Sequence, residues 1–437
     1  MPSPRSSREL FATRPGFVLA AAGSAVGLGN MWRFPYQAAE GGGAAFVLLY
    51  VLMTFLIGVP IMASEFAIGR RSKRSPIGAY RSIGGAAWVP MGYLAVLTPL
   101  VILAYFSVIS GWTLRYAIDS MSGFSGDYAA RFGEVSSGIP AVVYHLVLML
   151  ITVAVVYRGV RKGIEKASLV LMPLLFVLLI GLVVWAATLP GSDQGYDFYL
   201  KPSFHELLNP MVIKQAAAQA FLSLSVGMGI MITYSSYLDA KHDLGQEAVT
   251  VSMFDFSVAF IGGLVVFPVI FALGLADQVG ESTIGALFIS IPAAIGEMGD
   301  AGQVVGIAFF VALLLAGLTS LISLLEVVVA ALMDGLGMRR GPSVLAAGVI
   351  AAAAGILPAI SQPALGMMDK IASEVFVVAG ALGSLLLAGW KLRDPLEEIR
   401  AGASPLFARI APGLILAIRY LAPAFVAVIL WLSISNF

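Results

Sequence analysis

Long apolar segments recur about eleven times along this chain, and they limit what it can fold into more than any other feature. We predict spans at 16–38, 42–68, 86–119, 139–157, 164–187, 212–238, 247–275, 302–333, 343–360, 370–390 and 411–434. A helix of about 20 apolar residues crosses the hydrocarbon core of a bilayer. The chain is 59% hydrophobic and 12% charged, with a mean hydropathy of +0.92, whereas soluble proteins carry about 25% charged residues. The sequence therefore predicts an all-α polytopic membrane protein with about eleven transmembrane helices.

Basic residues cluster next to alternate spans, and this asymmetry predicts the orientation of the chain. The clusters are Arg5, Arg8 and Arg14 before the first span, Arg70, Arg71, Lys73, Arg74 and Arg81 after the second, Arg158, Arg161, Lys162 and Lys166 after the fourth, Arg339 and Arg340 after the eighth, and Lys391, Arg393, Arg400 and Arg409 after the tenth. We expect a cytoplasmic N terminus, an external C terminus and no cleavable signal. The loop at 276–301 contains an apolar piece too short to span, which we interpret as a re-entrant or capping hairpin on the outer face.

Several function classes are excluded by composition and by the absence of motifs. A net charge of +1 gives no bulk basic surface for nucleic acid, and the lack of cysteine excludes disulfides, iron–sulfur clusters and thiolate zinc sites. The three histidines show no metal-ligand spacing. The sequence has no Walker A motif, no H-E-x-x-H and no G-x-S-x-G, so we expect neither an ATP-driven protein nor an enzyme.

Two spans carry glycine clusters that an unbroken helix does not tolerate well. Residues 23–33 read G-S-A-V-G-L-G-N-M-W-R, residues 223–229 read S-L-S-V-G-M-G, and V-G-x-G occurs in both. Each glycine costs a helix about 1 kcal/mol relative to alanine, so we predict local unwinding. Unwound backbone at membrane depth is tolerated where it is buried in protein or lines a cavity. Paired interrupted spans indicate the binding site of a secondary transporter.

The spacing of the two clusters also predicts internal symmetry. We interpret the chain as one transporter domain, 1–437, made of inverted repeats at 16–190 and 212–390, followed by an extra helix at 405–437. The breaks then fall in the first helix of each repeat. The alternative for Gly23-x-x-x-Gly27 is a small-residue face for helix packing; the additional Gly29 and Asn30 and the second cluster favour a site.

Hydroxyl and carboxyl groups lie inside other apolar spans. In A-G-L-T-S at 316–320, Ala316, Thr319 and Ser320 share one helix face, although such hydroxyls also bond commonly to their own helix. Asp255 is interpreted as a charge that balances a bound cation.

Three further carboxyl groups have other interpretations. Glu65 and Glu326 are interpreted as structural carboxyls that accept hydrogen bonds from the free backbone of a broken helix. Asp369 opens the tenth span level with Arg33.

The chain resembles bacterial neurotransmitter:sodium symporters of the leucine-transporter type nearly from end to end. The motifs that carry the resemblance are A-G-S-A-V-G-L-G-N-M-W-R-F-P at 22–35, G-V-P-I-M-A-S-E-F-A-I-G-R at 58–70, R-G-V-R-K-G-I-E-K at 158–166, Q-A-F-L-S-L-S-V-G-M-G at 219–229 and A-G-L-T-S at 316–320. The resemblance implies sodium-driven amino acid uptake across a bacterial inner (plasma) membrane, two sodium sites, no organic cofactor and a monomer or weak dimer. A twelfth span, found in many members, is missing from this sequence.

The resemblance assigns oxygen ligands to two sodium ions. The first site would use the Ala25 carbonyl, Asn30, Ser223 and Asp255, together with the carboxylate of the substrate. A shift of one residue in the match would put Phe254 in place of Asp255. With Asp255 at this position, its carboxylate would supply the negative charge that animal relatives take from chloride. The second site would use the carbonyls of Gly23, Val26 and Ala316 and the hydroxyls of Thr319 and Ser320.

The implied substrate pocket departs from the family pattern at three positions. Its residues would be Ala25, Gly27, Leu28, Gly29, Ile102, Phe106, Leu222, Ser223, Ser225, Met228, Ser320 and Leu324. Phe106 replaces the tyrosine that bonds the substrate carboxylate, Leu222 replaces the lid phenylalanine, and Met228 replaces a second aromatic ring. Methionine fills irregular gaps, so we expect a roomier pocket for a bulky hydrophobic or aromatic L-amino acid.

The resemblance also implies gates on both sides of the site. Arg33 and Asp369 would close the outer side, while Arg8 and Asp334, with Tyr237 nearby, would latch the cytoplasmic side. The alternative for each is an ordinary interfacial charge. A channel and a transporter-like receptor are the competing functions, and substrate identity, sodium stoichiometry and counter-transport stay open.

Overall fold

Helices form nearly all of the part of the protein that the computed structural model describes, which comprises residues 9–201, 206–272, 274 and 286–435. Nine helices in these ranges are long and apolar enough to cross a membrane. They are α2 (Ala44–Ser72), α3 (Ala86–Ser122), α4 (Gly138–Tyr157), α5 (Val160–Ala186), α7 (Leu244–Ala272), α8 (Asp300–Leu336), α9 (Arg340–Ile360), α10 (Gln362–Lys391) and α11 (Pro405–Ser435). No strand occurs in these ranges.

The first and sixth spans are interrupted where the glycine clusters predict. Helix α1a (Arg14–Ala25) stops before α1b, which consists of Gly29–Arg33 and Phe34–Glu40. Helix α6a (Pro210–Ser223) stops before α6b (Ile230–Ser235). With these two broken spans, the described residues contain the predicted eleven.

Local sequence explains where the broken spans begin and why the sixth unwinds. The side chains of Thr13 and Asn209 accept hydrogen bonds from Gly16 N and Met211 N, and so cap α1a and α6a. In the second break, Ser225, Gly227 and Gly229 have φ values of 53°, 77° and 69°. Because an α-helix needs negative φ, the backbone of this segment cannot continue it.

Short helices join the spans. They are Pro76–Gly84, Tyr128–Ser136, Ser192–Leu200, Glu206–Leu208, Ala286–Ser290, Ile291–Gly296 and Pro395–Arg400. The described part of the predicted hairpin packs over one end of α3 as a cap: the Phe288 ring contacts those of Trp112 and Phe132, and Tyr116 donates a hydrogen bond of 2.8 Å to the Phe288 carbonyl. Residues 275–285 lie outside the described residues.

Burial divides the spans into an inner and an outer group. In their most apolar windows α3 is 72% buried and α2 and α8 are each 67% buried, whereas α5 is 28% and α11 is 33% buried. Helix α1a packs against α7 and α8 and is covered on another side by α5 of the outer group. The two breaks therefore lie inside the bundle, where neighbouring helices can satisfy freed backbone groups. The repeat boundaries stay a prediction.

Candidate functional site

The two breaks meet each other and α8 at the centre of the bundle. Ser225 Oγ on the sixth span and Ser320 Oγ on α8 both donate to the Ser24 carbonyl of the first span, at 2.8 and 3.3 Å. Gln219 Nε2 donates to the Gly29 carbonyl at 3.1 Å. Hydrogen bonds of this kind give partners to backbone carbonyls that the interruption frees.

Asp255 lies at the centre of a buried cluster of oxygen-bearing side chains. Its Oδ1 accepts from Ser223 Oγ at 2.6 Å and from Asn30 Nδ2 at 2.7 Å, and its Oδ2 accepts from Tyr50 OH at 2.8 Å. Asn30 Oδ1 accepts from Gly27 N at 3.1 Å, so the amide also fixes the break in the first span. The cluster joins α1b, α2, α6a and α7.

The structure separates Asp255 from the alternative position, Phe254. The ring of Phe254 packs edge-on against Phe176 of α5, with 5.8 Å between centroids. Asp255 is fully buried, and among the described residues no ion pair involves it. A buried carboxylate without a cationic partner is costly, and oxygen atoms are the ligands that hard cations prefer. The cluster can hold a monovalent cation.

A second set of oxygens lies between the first break and α8. Thr319 Oγ1 bonds the Ala316 carbonyl at 2.9 Å and lies 3.5 Å from the Val26 carbonyl. A Cβ placed on Gly23 would lie 3.3 Å from Thr319 Cβ, so these residues are in direct contact. Ser320 Oγ lies 3.4 Å from the Ala316 carbonyl. The hydroxyls bond their own helix, as the alternative interpretation holds, and they also reach across to the first span.

A small cavity of about 40 Å³ lies beside both oxygen sets. Its lining residues are Ser24, Ala25, Gly27, Gly29, Asn30, Ile102, Phe106, Leu222, Ser223, Ser225, Met228, Ser320 and Leu324. Eleven of the twelve predicted pocket residues are among them. The exception is Leu28, whose side chain lies against Gly317 of α8.

A carboxylate on α10 ties together one end of the bundle. Asp369 Oδ1 lies 3.4 Å from Arg33 Nη1 and accepts from Tyr105 OH at 3.0 Å. The Tyr105 hydroxyl, next to Phe106 on α3, is therefore used at this end of the bundle. We call this end, which contains Arg33, Tyr105 and Asp369, the Arg33 end.

At the other end, two of the predicted latch residues make the following described contacts, and the latch itself stays a prediction. Tyr237 donates to Glu326 Oε1 at 2.7 Å, and Asp334 Oδ2 accepts from Ser75 N. Arg8 lies outside the described residues.

Glu65 and Glu326, the two buried carboxyls that we interpreted from the sequence as structural, differ from each other. Glu65 Oε1 accepts from Gly227 N and from Ser384 Oγ, both at 2.8 Å, so it bonds the free backbone of the broken sixth span as expected. Glu326 does not: Arg340 holds it in a bidentate pair, at 3.0 and 2.7 Å. Our structural interpretation of Glu326 gave it the wrong partner, because the arginine follows the end of α8 and nothing in the local sequence indicates that it folds back.

A match to a known family covers nearly the whole chain. The family model described as the sodium:neurotransmitter symporter family matches residues 8–125 and 128–437. The chain belongs to the sodium:neurotransmitter symporter family. Members of this family are sodium-dependent transporters, and the helices described above fit a protein that crosses a membrane many times.

Similarities to individual proteins support the assignment of this chain to the symporter family. An uncharacterised sodium-dependent transporter of Bacillus subtilis, YhdH, is 36% identical over 414 residues, which cover 90% of this chain and 91% of that protein. Sodium-dependent nutrient amino acid transporter 1 of Drosophila melanogaster is 28% identical over 402 residues, covering 76% and 62%. A crystal structure of MhsT in complex with L-phenylalanine matches with a TM-score of 0.88 and 36% identity, covering 98% of this chain and 99% of that one. The predicted family and fold class are confirmed.

Proposed function

We propose that this protein is a sodium-coupled symporter for hydrophobic or aromatic L-amino acids, which works by alternating access and needs no chloride. The observation that carries the proposal is the meeting of two broken helices around a small cavity, with a buried oxygen cluster centred on Asp255 beside it. Family membership supplies the sodium dependence. The chemistry of the cavity supports the substrate class.

Two sodium ions account for the two oxygen sets. The first ion would bind Asn30 Oδ1, Ser223, Asp255 and the Ala25 carbonyl, and the second would bind the Gly23, Val26 and Ala316 carbonyls with Thr319 and Ser320. Both sets contain oxygen ligands only. The carboxylate of the substrate would complete the first site and contact its sodium ion directly in a dry environment, so that substrate and ion would bind cooperatively.

The buried charge of Asp255 supports independence from chloride. A site with one sodium ion and one fixed carboxylate is neutral before the substrate arrives. Tyr50, Asn30 and Ser223 all donate to this carboxylate, and so hold the negative charge where the ion needs it. No separate anion is required.

The cavity lining supports an apolar substrate side chain. Ile102, Phe106, Leu222, Met228 and Leu324 are apolar and line the cavity. Phe106 offers no hydroxyl to a substrate carboxylate, and the neighbouring Tyr105 hydroxyl is bonded to Asp369. The carboxylate would therefore depend on sodium and on backbone N–H groups of the first break. The relative MhsT was crystallised with L-phenylalanine, an amino acid of the proposed class.

Alternating access would open the two ends of the bundle in turn. The distribution of basic residues supports an outward-facing Arg33 end, a cytoplasmic N terminus and an external C terminus in a bacterial plasma membrane. The Arg33–Asp369 pair would close the outer path, and Arg8 with Asp334 would close the inner one. The transporter would act as a monomer or weak dimer, with no covalent chemistry and no organic cofactor.

Uptake into proteoliposomes tests the proposal. Purified protein is reconstituted and given radiolabelled L-phenylalanine under an inward sodium gradient, with potassium in place of sodium as the control. We expect saturable, sodium-dependent accumulation that Trp, Tyr and Leu inhibit better than Asp or Lys. Flux without saturation would indicate a channel, and binding without accumulation would indicate a receptor; either result would contradict the proposal.

A further inference from the structure

Lys214 and Glu374 form an ion pair within the spans. This pair belongs to neither oxygen set and is separate from the Arg33–Asp369 pair. Lys214 Nζ on α6a lies 3.1 Å from Glu374 Oε2 on α10, and the two side chains are 11% and 22% exposed. The whole Lys214 residue, backbone included, is 9% exposed. A charge on an apolar spanning helix is costly and marks a functional position unless packing explains it.

The position of this pair relates it to the substrate cavity. Glu374 lies five residues after Asp369 on α10, within the π-helical segment Ala372–Phe376. Because a π-helix turns less per residue than an α-helix, it keeps two carboxylates that are five residues apart closer to one face. Asp369 binds Arg33 of α1b and Glu374 binds Lys214 of α6a. Helix α10 therefore holds α1b of the first broken span and α6a of the sixth, the two half-helices that lead from the Arg33 end to the cavity.

We propose that Lys214 and Glu374 are positioning residues that form a second latch at the outer end of the transport path. The pair holds α6a against α10 while the outer path is closed, and it separates when the path opens. Helix α6a also carries Leu222 and Ser223, which line the cavity, so the latch links closure to the geometry of the site. The inference rests on the proposed alternating-access function.

The degree of burial favours a latch over a fixed pair. A surface ion pair contributes little, whereas removing one member of a buried pair leaves an unpaired charge in an apolar environment. Lys214 and Glu374 lie between these limits, because both side chains are partly exposed. Entry of water between α6a and α10 would hydrate both charges and lower the cost of separating them. A static pair would hold the two helices together in every state.

Cysteine labelling can distinguish a latch from a static pair. The natural chain contains no cysteine, so a single Leu365→Cys substitution gives one reactive thiol; Leu365 is buried on α10, four residues before Asp369 at the Arg33 end, and lies outside the cavity lining. Cells expressing this parent are treated from outside with a membrane-impermeant thiol reagent, either in potassium or in sodium with saturating L-phenylalanine. We expect sodium and L-phenylalanine to slow labelling of the parent, because they close the outer path.

The pair is then altered in this background. Lys214→Met, Glu374→Gln and the double variant should each label several-fold faster than the parent in sodium with L-phenylalanine, and the double variant should be no faster than the single ones. The exchange Lys214→Glu with Glu374→Lys and the conservative Lys214→Arg should restore slow labelling. As a matched control, Lys201→Met removes a lysine from an exposed pair, Lys201–Asp197, and should label like the parent.

The outcomes separate this inference from the proposed function. If the parent responds to sodium and L-phenylalanine while the Lys214 and Glu374 variants label at the parent rate, the pair is static and the latch is wrong. If the parent itself ignores sodium and L-phenylalanine, the proposed function is wrong and the latch with it. Size-exclusion profiles of each purified variant show whether it folds, and restoration by the exchanged pair excludes a defect from lost packing alone.

Discussion

At the scale of single residues, Asp255 connects the ion chemistry to the fold. Its carboxylate accepts hydrogen bonds from three side chains on three different helices, and it is fully buried. Two opposite charges about 4 Å apart interact with about 4 kcal/mol at the effective dielectric constant of a protein. Loss of this charge is therefore expected to weaken sodium binding strongly, even if the shape of the site is kept.

Asp255→Asn is the corresponding prediction. The amide keeps the size of the side chain and removes its charge, so sodium-driven uptake in chloride-free medium should fall by about tenfold or more, which corresponds to at least about 1.4 kcal/mol. Uptake of radiolabelled L-phenylalanine in chloride and in gluconate medium measures the effect. We expect chloride to restore part of the activity. Unchanged uptake that ignores chloride would contradict the proposed role.

Thr319→Val tests the second oxygen set. Valine has nearly the shape of threonine and lacks the hydroxyl that bonds the Ala316 carbonyl and approaches Val26, so the sodium concentration for half-maximal uptake should rise by about tenfold, or about 1.4 kcal/mol. Thr319→Ser should behave like the parent. Thr152→Val is the matched control, since among the described residues the carbonyl of Leu148 within α4 is the one partner of this buried hydroxyl. An equal rise in both valine variants would show that the effect is not specific to the site.

The sequence predicts the residues of the site better than it predicts their contacts. Asn30, Ser223 and Asp255 meet as expected, but nothing in the sequence indicates that Tyr50, inside the apolar second span, donates to Asp255. Leu28 lies within the glycine cluster yet faces α8, because the direction of a side chain in unwound backbone cannot be derived from helical periodicity. Contacts between distant parts of the chain can be read only from the three-dimensional packing.

At the scale of the elements, the break in the sixth span depends on close backbone contact. Gly227 has a φ of 77°, and a Cβ there would meet the carbonyl of Val377 on α10. Glu65 fixes the same residue by accepting its N–H. This segment is therefore held by two neighbouring helices, α2 and α10, and its conformation excludes larger residues.

Gly227→Ala is expected to destabilise the protein. A side chain in this conformation and this contact is strained by about 1–3 kcal/mol or more, and the melting temperature should fall by about 5 °C. Gly181→Ala on α5 is the control, since a Cβ there meets nothing within 4 Å. Thermal unfolding followed by the fluorescence of purified protein measures both. If the two variants melt alike, Gly227 is not the constraint that the packing indicates.

Glycine clusters predict both breaks, whereas no sequence signal predicts the π-helical segments. Six such segments lie inside described spans: Gly29–Arg33, Thr54–Gly58, Val160–Glu165, Ala372–Phe376, Leu387–Lys391 and Ala417–Leu421. A π-turn inserts an extra residue without a glycine or proline, and tertiary packing stabilises it. The orientation of Glu374 toward α6a is therefore not visible in the hydrophobic pattern of α10.

At the scale of the whole molecule, coupling between ion and substrate has a thermodynamic consequence that can be measured. If sodium raises the affinity for L-phenylalanine by some factor, L-phenylalanine raises the affinity for sodium by the same factor. We expect purified protein to bind L-phenylalanine more tightly as sodium increases, and to bind sodium more tightly when L-phenylalanine is present. Isothermal titration in both orders measures the two factors. A Lys201→Met variant should keep both affinity factors, whereas Asp255→Asn should reduce both together. Two factors that differ beyond experimental error would mean that sodium and substrate do not share one binding equilibrium.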